Sequence, residues 1–306
     1  MSTSRTVTEV VLKPIAGSLF QPTGFPDLGA AEFGDGRLLV ESAQSMANWL
    51  EGTTWDSALA DQPAELGALP YVRITNPEGD YLTSSRVEAH RLACAYIMDG
   101  TVEATDGTKG RDWLLDQIGL IKGRPLDHRA VARACFRIDP VSLVHGVFFA
   151  QKSWPWQPKI ARAVTSFIEA EGVKPAISGG VKRDSVNNEA KEGATSEGYG
   201  SVPHHRVEYT AAEITAYFIV DHAQLRSYGL SEPATALLEA LADFEIATLL
   251  DGGLRLRTRC DLEVHDIKRG ERPDAAEAAQ RIAKFAADAV GELGGTTTVI
   301  WSGRIK

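Results

Sequence analysis

No apolar run in this chain approaches the roughly 20 residues that a membrane-crossing helix needs. Cysteine is scarce: Cys94, Cys135 and Cys260 lie far apart, make an odd count and include no CxxC pair. That spacing excludes both a disulfide framework and a zinc knuckle, and buried thiols are the expectation. The nucleotide and hydrolase signatures are missing too. There is no GxxxxGK[ST], GxGxxG, HExxH or GxSxG. The N-terminal stretch "MSTSRTVTEVVLKPIAG" has neither a long apolar core nor a small-residue cleavage site, so a cytoplasmic protein without a secretory signal is expected. No metal or cofactor is expected.

What the chain does contain is an ordinary globular composition. Its 306 residues are 43% hydrophobic and 24% charged, enough for one large domain or two modest ones. The net charge of -9 argues against a surface that coats nucleic acid throughout. Charge is uneven, however. Lys152 to Arg183 holds six Lys/Arg against two Glu, and Arg111 to Arg137 holds six against three Asp. Ser231 to Asp251 holds five acids and no cation. An acidic body with basic segments suits one anion-binding groove, and suits an ordinary surface as well.

Helical and strand patterns alternate along the chain. "GRLLVESAQSMANWLEG" predicts a strand at Arg37 to Glu41 and a helix ended by Gly52. "SSRVEAHRLACAYIMDG" predicts a helix with Ser85 and Glu88 as a capping box, Val87, Leu92 and Tyr96 on its apolar face, and Gly100 beyond it. "RDWLLDQIGL" and "LDHRAVARACFRI" read as short helices, and "PVSLVHGVFFA" as a buried strand. "KIARAVTSFIEAEGV" favours a strand through Val164, Thr165, Phe167 and Ile168. Residues 185–203 are polar and broken by glycine and proline, as in a flexible loop or hairpin tip. "EITAYFIVDHAQLRSYG" and "LRLRTRCDLEVHDI" read as strands. Ser231, Pro233 and Gly252 frame one helix, "PDAAEAAQRIAKFAADAVGELGG" forms another, and "TTTVIWSGRI" closes as a strand. An α+β core with large insertions fits this order.

Several stretches offer anion chemistry. In "SGGVKRD", Ser178, Gly179 and Gly180 free the backbone, and Lys182 and Arg183 follow at once. Either backbone N–H groups and one cation grip a phosphate, or this is a bulge leading into a hairpin with both cations solvated. In "PHHRVEY", His204 and His205 point to opposite faces of a strand and cannot serve one metal. One imidazole either stacks on a base or touches a phosphate beside Arg206, or one is core and the other solvated. "LRLRTRC" places Arg255, Arg257 and Arg259 on one strand face, where they need an anion or acidic partners such as Asp261 and Glu263. Ser42, Gln44, Ser45 and Asn48 cluster at one helix start, and Ser84, Ser85, Arg86, His90 and Arg91 at a second. Capping alone accounts for one residue at each. In "QKSWPWQPK", Trp154 and Trp156 stand between Lys152 and Lys159, as for base stacking or for packing beside proline.

Five segments in order carry a family likeness: "FQPTGFPDLGAAEF", "LLVESAQSMANWLE", "SSRVEAHRLACAYI", "SGGVKRD…EGYGSVPHHRVEYTAAEITAYF" and "LLDGGLRLRTRCDLEV". From about Val11 to Ile267 the chain resembles the RAMP-superfamily backbone subunit of type I-G (formerly I-U) CRISPR effector complexes. The resemblance implies one α+β domain over 1–306: a modified RNA-recognition-motif (ferredoxin-like) palm, helical finger insertions at 53–137 and a thumb hairpin at 179–209. It implies a non-catalytic protein whose copies polymerise along crRNA and hold the guide–target DNA heteroduplex beside other CRISPR effector subunits, with base pairing reading the sequence. "SGGVKRD" then becomes the thumb's root facing RNA, and Ser42, Gln44, Ser45 and Asn48 line the groove beside it. Type III relatives cut RNA with a loop aspartate, which makes a ribonuclease using Asp184 the alternative. A metabolic enzyme gripping a small phosphorylated ligand through "SGGVKRD" is a third reading.

Overall fold

A computed structural model describes residues 4–25, 29–120, 123–152, 154–182 and 202–303. Strand β1 (Arg5–Pro14) alternates as a half-covered strand should: Thr8, Val10 and Leu12 are buried, while Val7, Glu9 and Val11 are half-buried. It lies in a seven-stranded sheet with β2 (Glu32–Phe33), β3 (Arg37–Glu41), β4 (Val164–Glu171), β7 (Glu213–Asp221), β8 (Leu254–Arg257) and β9 (Cys260–Arg269). Strands β5 (Lys174–Lys182) and β6 (Val202–Thr210) form a separate two-stranded hairpin.

The sheet order is β8-β9-β1-β7-β4-β3-β2, with antiparallel pairings throughout. Its four central strands run β9-β1-β7-β4. Helix α1 (Ala43–Gly52) lies between β1 and β4 in the chain, and α3 (Glu232–Asp251) lies between β7 and β9. This is the β-α-β-β-α-β ferredoxin-like order. Helix α1 packs on β4, and α3 packs on α1 and β7. Helix α3 is apolar on several sides because it is covered again from outside by α4 (Ala275–Asp288), whose Ala278, Ile282 and Ala286 form an i, i+4, i+8 stripe. The cap expected at Ser231 is present, accepting from Ala234 N, and Asp274 caps α4 by accepting from Glu277 N.

Between α1 and β4 sits an insertion with its own four-stranded sheet and helix α2 (His128–Ile138). Its strands are Val72–Thr75, Tyr81–Ser84, Thr101–Val102 and the chain's last strand, Thr297–Ile300, which runs parallel to Val72–Thr75. The closing strand foreseen in the sequence thus completes the insertion rather than the main sheet.

Four sequence expectations need correction. The helix expected from Ser85 is confined to Ala95–Asp99, after a 3-10 turn at Arg91–Ala93. The capping box does not form: Ser85 Oγ donates to Asp139 (2.6 Å), Thr83 Oγ1 donates to Glu88 (2.8 Å), Arg91 adopts φ 50°, and Val87 is exposed. The strand expected at 140–150 is a helical turn, Val141–His145, and only Val147–Phe148 is extended. Asp139 starts the turn by accepting from Val141 N, and an apolar run buried all round carries no readable period. "EITAYFIVDHAQLRSYG" stops being a strand at Asp221, which caps His222–Ser227 through Gln224 N. "LRLRTRCDLEV" is two strands: Thr258 and Arg259 form the turn, so the three arginines do not share one face.

Candidate functional site

The hairpin leaves the sheet after β4 and returns into β7. Gly172 makes the exit at φ 61°, where an added Cβ would lie 2.8 Å from Ala212 Cβ. At its base Phe20 and Tyr209 exchange backbone hydrogen bonds of 2.9 and 2.8 Å, and their rings tilt together at 6.4 Å. The Tyr209 hydroxyl donates to Glu32, and its pKa is pushed up to about 12 by burial and that carboxylate. Farther out, Ser178 stands opposite Arg206, Gly179 opposite His205 and Gly180 opposite His204. Ser178, Gly179 and Gly180 are exposed, so two successive positions present bare backbone. Lys182, His204 and His205 are fixed here as backbone positions only; Arg183, Asp184 and the rest of 183–201 lie outside the described residues.

Cations gather around this base. Glu208 is buried and takes Arg259 Nε at 3.1 Å and Arg206 Nε at 3.5 Å. Two residues away in β8, Arg257 donates to Gln21 O (2.9 Å) and pairs with the buried carboxylate of Glu41 at the end of β3. Next to Glu41, Ser42 caps α1 by accepting from Ser45 N at 3.2 Å. Arg162 reaches the same first turn, donating to Ala43 O (3.1 Å) and Gln44 Oε1 (3.2 Å). Burial, reinforced by the nearby Arg91 charge, lowers the Arg162 pKa. Gln44 and Asn48 remain exposed, as does Arg255. The structure therefore brings Ser42, Gln44, Ser45, Ser178, Gly179, Gly180, Arg206 and Arg257 into one chain of neighbours. Sequence reasoning missed Arg162 and Glu208.

The second cluster is elsewhere and turned inward. Ser84 and Ser85 are fully buried, and Arg86 is buried with its Nε 2.8 Å from Asp139 Oδ1 and a bond to Pro70 O. Arg91 makes a two-point pair with Glu51 at 2.5 and 2.7 Å behind α1. Only His90 is exposed. A helix start open to an anion is not present there. Of the two tryptophans, Trp154 is packed on Phe149 with ring centroids 4.4 Å apart, whereas Trp156 is 57% exposed. On the sheet face away from the helices, Phe167 and Tyr217 are paired in register and stack at 4.9 Å. Their neighbours Glu9 and Glu169 make that face unfavourable to phosphate and, after burial, help raise the Tyr217 pKa. The alternation in "VTSFIEAE" and "EITAYFIVD" carries the signal for this pair.

The three cysteines are free and buried, and burial pushes each thiol up to about 12. Among the described residues no helix is long and apolar enough to cross a membrane, and no group of three or more His, Cys, Asp or Glu could hold a metal ion.

A family model described as CRISPR-associated protein GSU0053 matches residues 7–175. No curated protein matches the chain. Among solved structures, a chain of a "CRISPR RNA-guided surveillance complex, pre-nicking" is 12% identical with a TM-score of 0.40, covering 97% of this chain and 96% of that one. Csc2 from Thermofilum pendens is 11% identical with a TM-score of 0.32, covering 95% of this chain and 76% of its own.

Proposed function

The chain belongs to the CRISPR-associated protein GSU0053 family, and from that premise we propose that it is the non-catalytic, crRNA-binding backbone subunit of a type I-G interference complex. In this reading the ferredoxin-like sheet and its helices are a modified RNA-recognition-motif palm, the 53–137 insertion supplies the fingers and the hairpin is the thumb. Copies of the chain follow one another along the guide, beside other effector subunits, and hold it while it pairs with target DNA. The observation that carries the reading is the hairpin itself. It rises between the second and third strands of the fold, carries bare backbone at Gly179 and Gly180, and has cations at its base. Backbone N–H groups and arginines that recognise phosphate without reading bases are what a guide-holding surface requires.

The protein purified at low salt carries RNA, seen as a raised 260/280 nm absorbance ratio that falls after a high-salt wash. Lys182→Ala and Arg183→Ala each weaken guide binding without regard to sequence. Each lowers the slope of log K against log salt by roughly 0.7 per lost phosphate contact. A protein free of RNA that instead saturates with a nucleotide or sugar phosphate overturns the reading. Metal-dependent cleavage of complementary RNA, lost in Asp184→Ala, overturns the non-catalytic assignment.

A further inference from the structure

Helix α2 carries an arginine ridge that the hairpin site does not use. Its buried side is Val131, Ala132, Cys135 and Phe136. Arg129, Arg133 and Arg137 fall at i, i+4 and i+8 and are all exposed, so they line one edge at about 6 Å per step. Among the described residues, Arg124, Arg129 and Arg137 have no carboxylate within 4.0 Å. Arg133 has only Asp127 at 3.7 Å, with both side chains more than half exposed. Asp127 is itself engaged in capping α2, accepting from Arg129 N at 2.9 Å and Ala130 N at 3.1 Å. Exposed like charges on one helix edge, with Asp127 the single carboxylate paired to any of them among the described residues, repel each other and favour an added anion.

Two adjoining cavities run beside this edge. One, of about 290 Å³, is bordered by Arg133 and Arg137; the other, of about 170 Å³, by Arg124, Trp156 and the capping carboxylate Asp127, and Gly119 and Ala130 border both. Glu292, which also lines the first, accepts from Ser231 Oγ. Trp156 is 57% exposed and held at φ 65°, a left-handed conformation that is rare and strained for a bulky residue. A large indole kept in solvent beside a row of exposed arginines, of which Arg133 alone has a carboxylate within 4.0 Å, combines a phosphate track with a stacking platform.

We propose that this edge binds a single strand of nucleic acid, with the arginines on its phosphates and an unpaired base on Trp156. An acidic polypeptide could satisfy the arginines but would leave the indole without a stacking partner. The ridge shares no residue with the hairpin base, so the inference stands apart from the guide-binding reading.

The test uses the full chain, freed of nucleic acid at high salt, in a Lys182→Ala/Arg183→Ala background so that loss at the hairpin and loss at the ridge are read separately. A fluorescein-labelled thymidine oligonucleotide is titrated and followed by anisotropy. The Arg129→Ala/Arg133→Ala/Arg137→Ala variant is expected to bind at least about tenfold more weakly, with the salt slope reduced by roughly two. Trp156→Ala is expected to lose about tenfold, while Trp156→Phe keeps most of the affinity. Arg133→Ala alone, with an unchanged circular dichroism spectrum, gives a partial loss that excludes misfolding as the cause. An unchanged affinity and slope in the triple variant overturns the proposal. So does competition by polyglutamate as effective as that by unlabelled oligonucleotide, or binding indifferent to the residue at 156.

Discussion

Arg91 sits at φ 50° with its guanidinium buried, and that strain is held by two bonds to Glu51 and one to Gly146 O. Burial raises the Glu51 pKa despite the Arg91 guanidinium beside it, so this carboxylate depends on that partner to stay ionised. Arg91→Ala strands it, and a loss of about 3–5 kcal/mol is expected in a denaturant titration. Arg91→Lys recovers only part of that, because one ammonium cannot replace a two-point fork. Asp221 gives the opposite case near the surface. The Gln224 N–H, assisted by Arg5, holds its pKa below the ordinary 3.8. Its charge therefore contributes stability above pH 3.8 that is lost as pH falls through the lowered folded value. Asp221→Asn keeps the cap and removes the charge, so the variant should be less stable than the parent at neutral pH and converge with it in acid. Thermal melts across that range check the convergence. Neither arginine cluster could be read from spacing: Glu51 lies 40 positions from Arg91, and the Asp139 that receives Ser85 lies 54 positions away. A local pattern showed cations near a helix start but not the buried acids that claim them.

At the scale of elements, legibility followed framing. The helices bounded by Ser231 and Asp274 are framed by capping residues, and they form where expected. The Val141–His145 turn is buried on every side and leaves no period to read. The polar run after "SGGVKRD" reads as a flexible loop or a hairpin tip, and the described strands that flank it, Lys174–Lys182 and Val202–Thr210, pair antiparallel. What the sequence could not show is the clamp beneath it. Glu208 in β6 neutralises Arg206 of the same strand and Arg259 from the turn between β8 and β9. If the hairpin base faces guide phosphates, this carboxylate works against them. Glu208→Gln is then expected to tighten guide RNA binding by about threefold and to steepen the salt slope, since two guanidiniums become available to the polymer. Anisotropy with guide RNA at three or more salt concentrations checks this. A looser complex with a flatter slope would mean that Glu208 matters for holding the arginines in place rather than for restraining their charge.

For the whole molecule, the alternation of elements indicated an α+β class, but strand order depends on contacts far apart in sequence. The clearest instance is the last strand. Thr297–Ile300 enters the insertion's sheet between Val72–Thr75 and Thr101–Val102, and is fixed by Thr297 N to Tyr71 O (3.0 Å), Glu103 N to Thr298 O (3.0 Å) and Trp301 N to Thr75 O (2.8 Å). Trp301 then meets Tyr96 edge to face at 5.2 Å, and Val299 is fully buried. An insertion that begins after residue 52 is thus closed by residues that follow α4, which itself packs on Ala64–Leu66. Nothing in a four-residue β-branched run says which of two sheets it will join. The energetic consequence is local before it is global. Val299→Ala removes two buried methyl groups from the centre of a small sheet, a loss of about 2 kcal/mol. That corresponds to roughly 3 °C in the melting temperature of a chain of this size. Because Thr101–Val102 and one edge of Val72–Thr75 take their ladder bonds from this strand, those amides are expected to lose hydrogen-exchange protection in the variant. The β1–β7 pairing, eight register positions long in a different sheet, keeps its own. Equal loss of protection in both sheets would instead show that the seven-stranded sheet and the insertion open as one unit, and that strand Thr297–Ile300 couples the insertion to the surface proposed to hold the guide.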